Sequence, residues 1–295
     1  MDKKLELSPS FDARLKSCPL CQSGRLRYCD RDYTGIIIDK CVDCGIRFMN
    51  PQYSDDFQAS LYDGYIDPGE ITSLEEIWEN AHLNSHHFHF QKIEEHIAPG
   101  KILAFGCGNG SELEVALQRG WETEGFDVDP ECVKELQNKH EIPLHTGDFF
   151  HLELASDSYE CIYLDQVLEH LKEPAPYLKE FNRLLKPDGV LFLAVPNIES
   201  IGSRWKTLLG RLRLKRNRGK HYDTWHHLFY FNPGSLAKLL EREFGYQFLA
   251  MGNDAFQIPG LPWYKKMMVN VFQDVSLPWR STCYVICKKI KPQDL

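Results

Sequence analysis

From Lys101 onward the sequence alternates short apolar strands with helical patterns, and the first strand runs straight into a glycine-rich turn, Gly106-Cys107-Gly108-Asn109-Gly110. The strand candidates are Lys101–Phe105, Glu122–Asp127, Pro143–Thr146, Cys161–Leu164 and Val190–Val195, with helices at Ser111–Gln118, Pro130–Lys139 and Ala175–Leu185 between them. Strands that alternate with helices pair in parallel through right-handed crossovers, so this spacing predicts a doubly wound α/β sheet. Ligands of such sheets bind outside the carboxyl ends of the strands, where glycines let a ligand lie against the backbone. Gly125-Phe126-Asp127 then ends the second strand with a carboxylate, an acid placed to accept both hydroxyls of a ribose. The G-x-G-x-G spacing lacks the later glycine of the dinucleotide fingerprint, which argues against a nicotinamide cofactor.

Further elements flank this alternation. After Pro196 the pattern predicts a helix at Pro233–Glu243, a strand near Tyr246–Met251 and a last strand at Ser281–Ile290. Ahead of it, residues 73–97 carry apolar positions at helical spacing and are stopped by Pro99-Gly100. On that helix His82, His86 and His89 share one face, which is either exposed and polar, laid over a ligand, or set to hold a metal.

The first 65 residues have a different composition, rich in Cys, Gly, Pro, Tyr and Asp. Cys18-Pro-Leu-Cys21 is followed, after nineteen residues, by Cys41-Val-Asp-Cys44-Gly45. Two such knuckles match a tetrahedral four-thiolate Zn2+ site, with Cys18, Cys21, Cys41 and Cys44 as ligands and Gly45 relieving the turn. A four-cysteine site is closed to water, so the ion is expected to be a structural clip for a segment too short to hold a core alone. The other six cysteines read as small buried side chains.

Three more segments sit in register with the first glycine turn: Gly147-Asp148-Phe149, Asp165-Gln166-Val167-Leu168-Glu169-His170, and Leu184-Leu185-Lys186-Pro187-Asp188-Gly189. Residues 99–253 resemble the class I S-adenosylmethionine-dependent methyltransferases, of the group that includes ubiquinone-biosynthesis O-methyltransferases. The segments ILAFGCGNG, GFDVD, TGDFF, YECIYLDQVLEHL and LLKPDGVLFLAVPN follow that family's motifs in order. The resemblance implies a Rossmann-like seven-stranded sheet with an antiparallel last strand, and S-adenosyl-L-methionine as cofactor. It implies that Gly106, Cys107, Gly108 and Gly110 line the methionine and ribose, that Asp127 binds the ribose hydroxyls, and that Val128 packs on adenine. Asp148 would accept from the adenine amino group, the Phe149 backbone would meet the ring, and Asp165 would complete the cofactor-binding set. Ala104 departs from the pattern, because the family usually has an acid there. The cysteine-rich start and the segment from His227 are similar to bacterial methyltransferases of sugar and surface-glycan pathways. The expected organisation is a zinc ribbon over 1–65, a linker and cofactor-covering helix over 66–98, and a methyltransferase domain over 99–295 with insertions at 199–228 and 256–280.

The expected reaction is methyl transfer to a hydroxyl of a small molecule, such as a nucleotide- or lipid-linked sugar. A hydroxyl acceptor benefits from a base, for which His170 and His227 are the catalytic candidates. Arg204–Lys220 holds eight basic residues and no acid, and Phe256–Arg280 combines aromatics with Lys265 and Lys266. Together they favour a phosphorylated or lipid-linked acceptor and peripheral contact with an anionic membrane. An RNA methyltransferase using its ribbon to bind RNA is the alternative, and a cofactor-free scaffold a third. The net charge of −8 weighs against a nucleic-acid partner. With no apolar run near the ~18 residues of a membrane span, no apolar start and ten cysteines, a cytoplasmic location is expected.

Overall fold

Alternating apolar strands and amphipathic helices build two sheets that share one core. The structure, a computed structural model, describes residues 9–62, 81–139, 141–211, 222, 224–254 and 282–291. Strands β1 (Leu26–Arg31), β2 (Ile37–Cys41) and β3 (Arg47–Met49) come first, followed by helices α1 (Asp55–Tyr62) and α2 (Ala81–Glu94). The alternating part is β4 (Lys101–Phe105), α3 (Ser111–Gln118), β5 (Glu122–Phe126), α4 (Pro130–Lys139), β6 (Leu144–His145), β7 (Tyr159–Asp165), α5 (Pro174–Leu184) and β8 (Leu185–Pro196). Then come α6 (Ile201–Arg211), β9 (Phe229–Tyr230), α7 (Pro233–Phe244), β10 (Tyr246–Asn253) and β11 (Thr282–Lys289).

The large sheet has seven strands in the order β10-β11-β8-β7-β4-β5-β6. From β6 to β8 all neighbours are parallel, whereas β11 lies antiparallel between β8 and β10. Val190–Val195 of β8 is fully buried, as a central strand covered on both faces must be. One face carries a cluster of Phe105, Phe126, Phe149 and Phe181, with Phe105 4.8–5.0 Å from each of the others. On the other face Phe90, Tyr163, Phe192 and Tyr284 stack in a row, bringing α2 down onto the sheet. Burying aromatic rings of this size is a large share of what holds such layers together. The expected α/β sheet with its antiparallel last strand is therefore observed, and β4, α3 and α4 have the expected bounds. Strands β7 and β8 are longer than expected, because the pair resumes at Tyr159–Leu185 across a register shift.

The small sheet has the order β1-β2-β3-β9, and its last strand comes from nearly 180 residues further along the chain. Phe48 pairs with Phe229 and Arg47 with Tyr230. Cys18, Ile38 and Phe48 thereby join the same buried cluster as Leu191, Leu193, Phe231 and Leu240. Arg47 also pairs with Glu199 at 3.1 Å, and Lys172 reaches Asp12 and Asp55 at 2.6 and 2.5 Å. The cysteine-rich segment is thus welded to the large sheet by packing as well as by charge. Of the basic stretch, 204–211 lies in α6; 212–221 and the aromatic stretch 256–280 lie outside the described residues. No helix among the described residues is long and apolar enough to cross a membrane.

Phe229 is buried at the joint between the two sheets, 6.1 Å from the ring of Phe48. Phe229→Ala is expected to cost about 3–5 kcal/mol while leaving one cooperative unfolding transition, because both sheets draw on one core. Chemical denaturation followed by circular dichroism checks this; two separated transitions in the parent protein would contradict it.

Candidate active site

At the end of β4 the chain reverses through three glycines in the left-handed region, with φ of 80° at Gly106, 46° at Gly108 and 81° at Gly110. A Cβ on Gly106 would lie 2.5 Å from Val167 Cγ2, and one on Gly110 2.7 Å from Leu136 Cδ2. Both positions therefore require glycine for conformation and for space. The N–H groups of Gly106 and Cys107 donate to the Phe126 carbonyl at 2.7 and 3.0 Å. Asp127 fastens the loop from the neighbouring strand: its Oδ2 accepts from Gly108 N at 2.9 Å and its Oδ1 from Asp129 N at 3.0 Å. Burial pushes the Asp127 carboxyl above its usual range, against the pull of these N–H groups.

The glycine turn, Asp127 and the exposed Val128 are thus gathered at the carboxyl ends of β4 and β5. Asp148 follows β6 on the next strand over and caps the short helical turn Phe149–His151 by accepting from Phe150 N at 3.0 Å. The Phe149 ring is buried in the aromatic cluster. Cys107 is likewise buried, among Ala104, Leu113 and Leu136. Where Ala104 supplies no acid, α3 does: Glu112 is buried in its first turn. Burial, with the charges of Asp165 and Asp127 reinforcing it, pushes the Glu112 carboxyl up to about 8. Nothing in the sequence pattern singles out Glu112, which lies in an ordinary first helical turn.

The histidine face of α2 is buried for His86 and His89, while the side chain of His82 lies outside the described residues. His86 Nδ1 and His89 Nδ1 share the Tyr163 hydroxyl at 2.9 and 2.8 Å. His86 Nε2 lies 3.0 Å from Ser111 Oγ, just after the glycine turn. His89 Nε2 lies 3.1 Å from Asp254 Oδ1, which also accepts from Ser85 Oγ at 2.5 Å. Asp165 stands at the edge of this chain, its Oδ2 3.4 Å from the Tyr163 hydroxyl. Burial pulls the His89 pKa down, but the hydrogen bond and charge of Asp254 carry it above its ordinary 6.5. In return His89 outweighs burial and holds Asp254 down to about 2. The sequence shows the helical spacing of these histidines but not Tyr163 or Asp254, which other strands bring in.

His170 and His227 are brought together, their ring centroids 5.0 Å apart and the ring planes inclined at 66°. His170 closes a short turn, Leu168–His170, that follows β7 and packs behind Val167 on the glycine loop. His170 Nδ1 bonds to the His226 carbonyl at 2.9 Å and so is the protonated nitrogen, leaving Nε2 as the basic one. Burial, with the neighbouring His226, lowers the His227 pKa to about 4, so its imidazole is neutral at physiological pH. Glu169 between them is fully buried, and that burial pushes its carboxyl up to about 8.

The four knuckle cysteines converge as their spacing predicts. Cys18 and Cys44 sulfurs are 3.7 Å apart and Cys21 and Cys41 sulfurs 3.6 Å, with all four within 4.8 Å of one another. Metal–sulfur bonds of 2.3 Å in a tetrahedron place sulfurs roughly 3.8 Å apart, whereas a disulfide needs about 2.05 Å. The donor set therefore fits Zn2+. Among the other cysteines, Cys29 is half-buried rather than buried.

A family model described as a methyltransferase domain matches residues 75–250. A Mycolicibacterium smegmatis protein named as an S-adenosylmethionine-dependent methyltransferase is 27% identical over 120 residues, 40% of this chain and 47% of the relative. A ubiquinone biosynthesis O-methyltransferase of Haemophilus ducreyi is 30% identical over 108 residues, 33% of this chain and 45% of the relative. The chain thus spans less than half the length of these curated relatives. Among solved structures, a chain of the complex between the Haloferax volcanii Trm112 methyltransferase activator and a methyltransferase is similar with a TM-score of 0.52 at 18% identity, covering 81% of this chain and 99% of that one. A Galdieria sulphuraria protein described as a sarcosine dimethylglycine methyltransferase gives 0.50 at 15%, covering 80% and 99%. At these identities the likeness is one of fold.

The buried His89–Asp254 pair generates a prediction. Asp254→Asn leaves His89 without its counter-charge and is expected to destabilise the protein by roughly 3–5 kcal/mol near neutral pH. The pair's contribution is present above the ordinary Asp value of 3.8 and is lost as pH falls through about 2. At the other end it is full below 6.5 and is lost as pH rises through the raised His89 value. Thermal unfolding across pH 2–9 should therefore show the gap between parent and variant narrowing toward both extremes; a constant gap would contradict the pairing.

Proposed function

This chain belongs to the methyltransferase-domain family, and from that premise we propose that it transfers a methyl group from S-adenosylmethionine to a hydroxyl of a small-molecule acceptor. The observation that carries the reading is the Gly106–Gly110 loop held open by Asp127, with Val128 exposed beside it. In this reading Gly106, Cys107, Gly108 and Gly110 offer backbone to the methionine and ribose. Asp127 keeps lone pairs for the ribose hydroxyls beyond the two it gives to N–H groups. Val128 packs on adenine, Asp148 and the Phe149 backbone meet its edge, and Asp165 borders the methionine end. Glu112, buried in the first turn of α3, supplies a carboxyl near the loop where Ala104 supplies none, and its burial keeps that carboxyl protonated until a cation is placed beside it.

The cofactor, when bound, supplies an electrophilic methyl group on a sulfonium. The residues of this chain hold the acceptor in line with it, an arrangement that can supply up to about 7–11 kcal/mol of the barrier. His170 and His227 present imidazole nitrogens where the acceptor hydroxyl must give up its proton, and the His226 carbonyl fixes which nitrogen of His170 is basic. Zn2+ on Cys18, Cys21, Cys41 and Cys44 takes a structural part, closing the small sheet over the segment that carries α1. In this reading the chain divides into a zinc ribbon over 1–65, a linker and cofactor-covering helix over 66–98, and the methyltransferase domain over 99–295.

For the acceptor we favour a nucleotide- or lipid-linked sugar, as in surface-glycan synthesis. Helix α6 supports this with an exposed Trp205 and Leu208 next to Arg204, an aromatic and basic surface suited to an anionic interface. We read the protein as cytoplasmic, with peripheral contact at the inner face of the membrane.

Two outcomes are expected. Incubation with methyl-labelled cofactor and a panel of nucleotide- and lipid-linked sugars should place label on one sugar class, and His170→Ala should cut the turnover about 10²–10⁴-fold without weakening S-adenosylhomocysteine binding. Label in ribosomal RNA and in no sugar would overturn the acceptor. Co-sedimentation with anionic vesicles should be seen at low salt and fade as salt screens it; equal binding to neutral vesicles would contradict the electrostatic contact.

A further inference from the structure

Glu169 is fully buried, and among the described residues neither of its carboxylate oxygens has a hydrogen-bond partner. A buried carboxylate in that state is costly unless it is paired or coordinates a cation. It points into a group of donors. Its Oε1 is 3.9 Å from His170 Nε2, beyond hydrogen-bond reach, and one ligand atom each from Glu169, His170 and His227 lie within 4.8 Å of one another. Nitrogen and oxygen ligands at about 2.0–2.2 Å from an ion stand roughly 3–4 Å apart, which is the spacing of the Glu169–His170 pair.

The surroundings hold these side chains as a ligand set is held. His170 Nδ1 bonds the His226 carbonyl at 2.9 Å, the backbone-oriented arrangement that fixes the other nitrogen of a ligating histidine. The Glu169 carbonyl accepts from Leu228 N at 2.9 Å, and the His170 carbonyl accepts from Gln58 Nε2 at 2.9 Å. The turn is thereby clamped both to the segment carrying His227 and to α1.

We propose that Glu169, His170 and His227 form a divalent-cation site, separate from the four cysteines, for which Zn2+ suits two imidazoles and one carboxylate. Three protein ligands leave a coordination position for an oxygen, unlike the closed four-thiolate site. The site follows directly on Val167, which packs against Gly106, and so borders the glycine loop. With the ion bound, His170 and His227 act as its ligands in place of the base role, and an acceptor hydroxyl on the ion would hold its proton less tightly and release it to solvent. That last consequence rests on the methyl-transfer reading; ion binding itself does not.

The test uses the full chain, stripped of metal and titrated with Zn2+ or Co2+ alone, with S-adenosylhomocysteine binding measured on the same samples. Two ions per chain are expected, the first giving thiolate-to-cobalt charge-transfer absorption and the second giving a cobalt spectrum without it. Glu169→Gln should lower the stoichiometry from two to one, keeping the thiolate signature and the S-adenosylhomocysteine affinity. A parent protein that stops at one ion, all of it with the thiolate signature, overturns the site whatever the variant does. A Glu169→Gln protein that keeps both ions overturns the ligand assignment. Two ions without S-adenosylhomocysteine binding would leave the metal site standing and overturn the methyl-transfer reading instead.

Discussion

The carboxylate of Asp127 reaching across to Gly108 N, 2.9 Å away, sets the shape of the site. It ties the ends of β4 and β5 at the point where the chain passes through three left-handed glycines at alternate positions. Val167 and Leu136 fill the space that side chains on Gly106 and Gly110 would need. Val167 begins the turn that carries Glu169 and His170, and Leu136 lies on α4 behind β5. The loop therefore packs against both the turn that carries His170 and the helix that follows β5. A change there moves both.

The second constraint is the continuity of the core. The cysteine-rich segment contributes three strands, but its sheet is completed by Phe229–Tyr230, which begins two residues after His227. The position of His227 therefore depends on the small sheet as well as the large one. Burial does the rest of the arranging. It keeps His227 neutral and Glu112 and Glu169 reluctant to ionise, while His89 and Asp254 charge each other. These groups surround one end of the sheet, so the electrostatics of the site is set mostly by exclusion of water.

Much of this was legible in the sequence because it is written in short-range terms. The period of apolar residues marks β4, α3 and α4 at their observed bounds, and the two Cys-x-x-Cys knuckles announce a convergence of four sulfurs. The glycine turn and Asp127 stand where strand-end logic puts them. What escaped depends on long-range pairing or on the direction of a side chain. A two-residue strand such as β9 carries too few residues for any period to show. The spacing of His86 and His89 puts them on one face, but Tyr163 and Asp254 come from other strands and carry no local mark. Glu169 stands beside His170 in plain view, and only the packing of the turn sends its carboxylate inward.

The central claim is that the loop fastened by Asp127 is an S-adenosylmethionine cradle, and calorimetric titration of the zinc-loaded protein with S-adenosylhomocysteine tests it most directly. Saturable micromolar binding at one ligand per chain, lost or weakened at least tenfold in Asp127→Ala, is the predicted result. No heat of binding from a protein whose circular dichroism and unfolding transition show it to be folded would contradict the account.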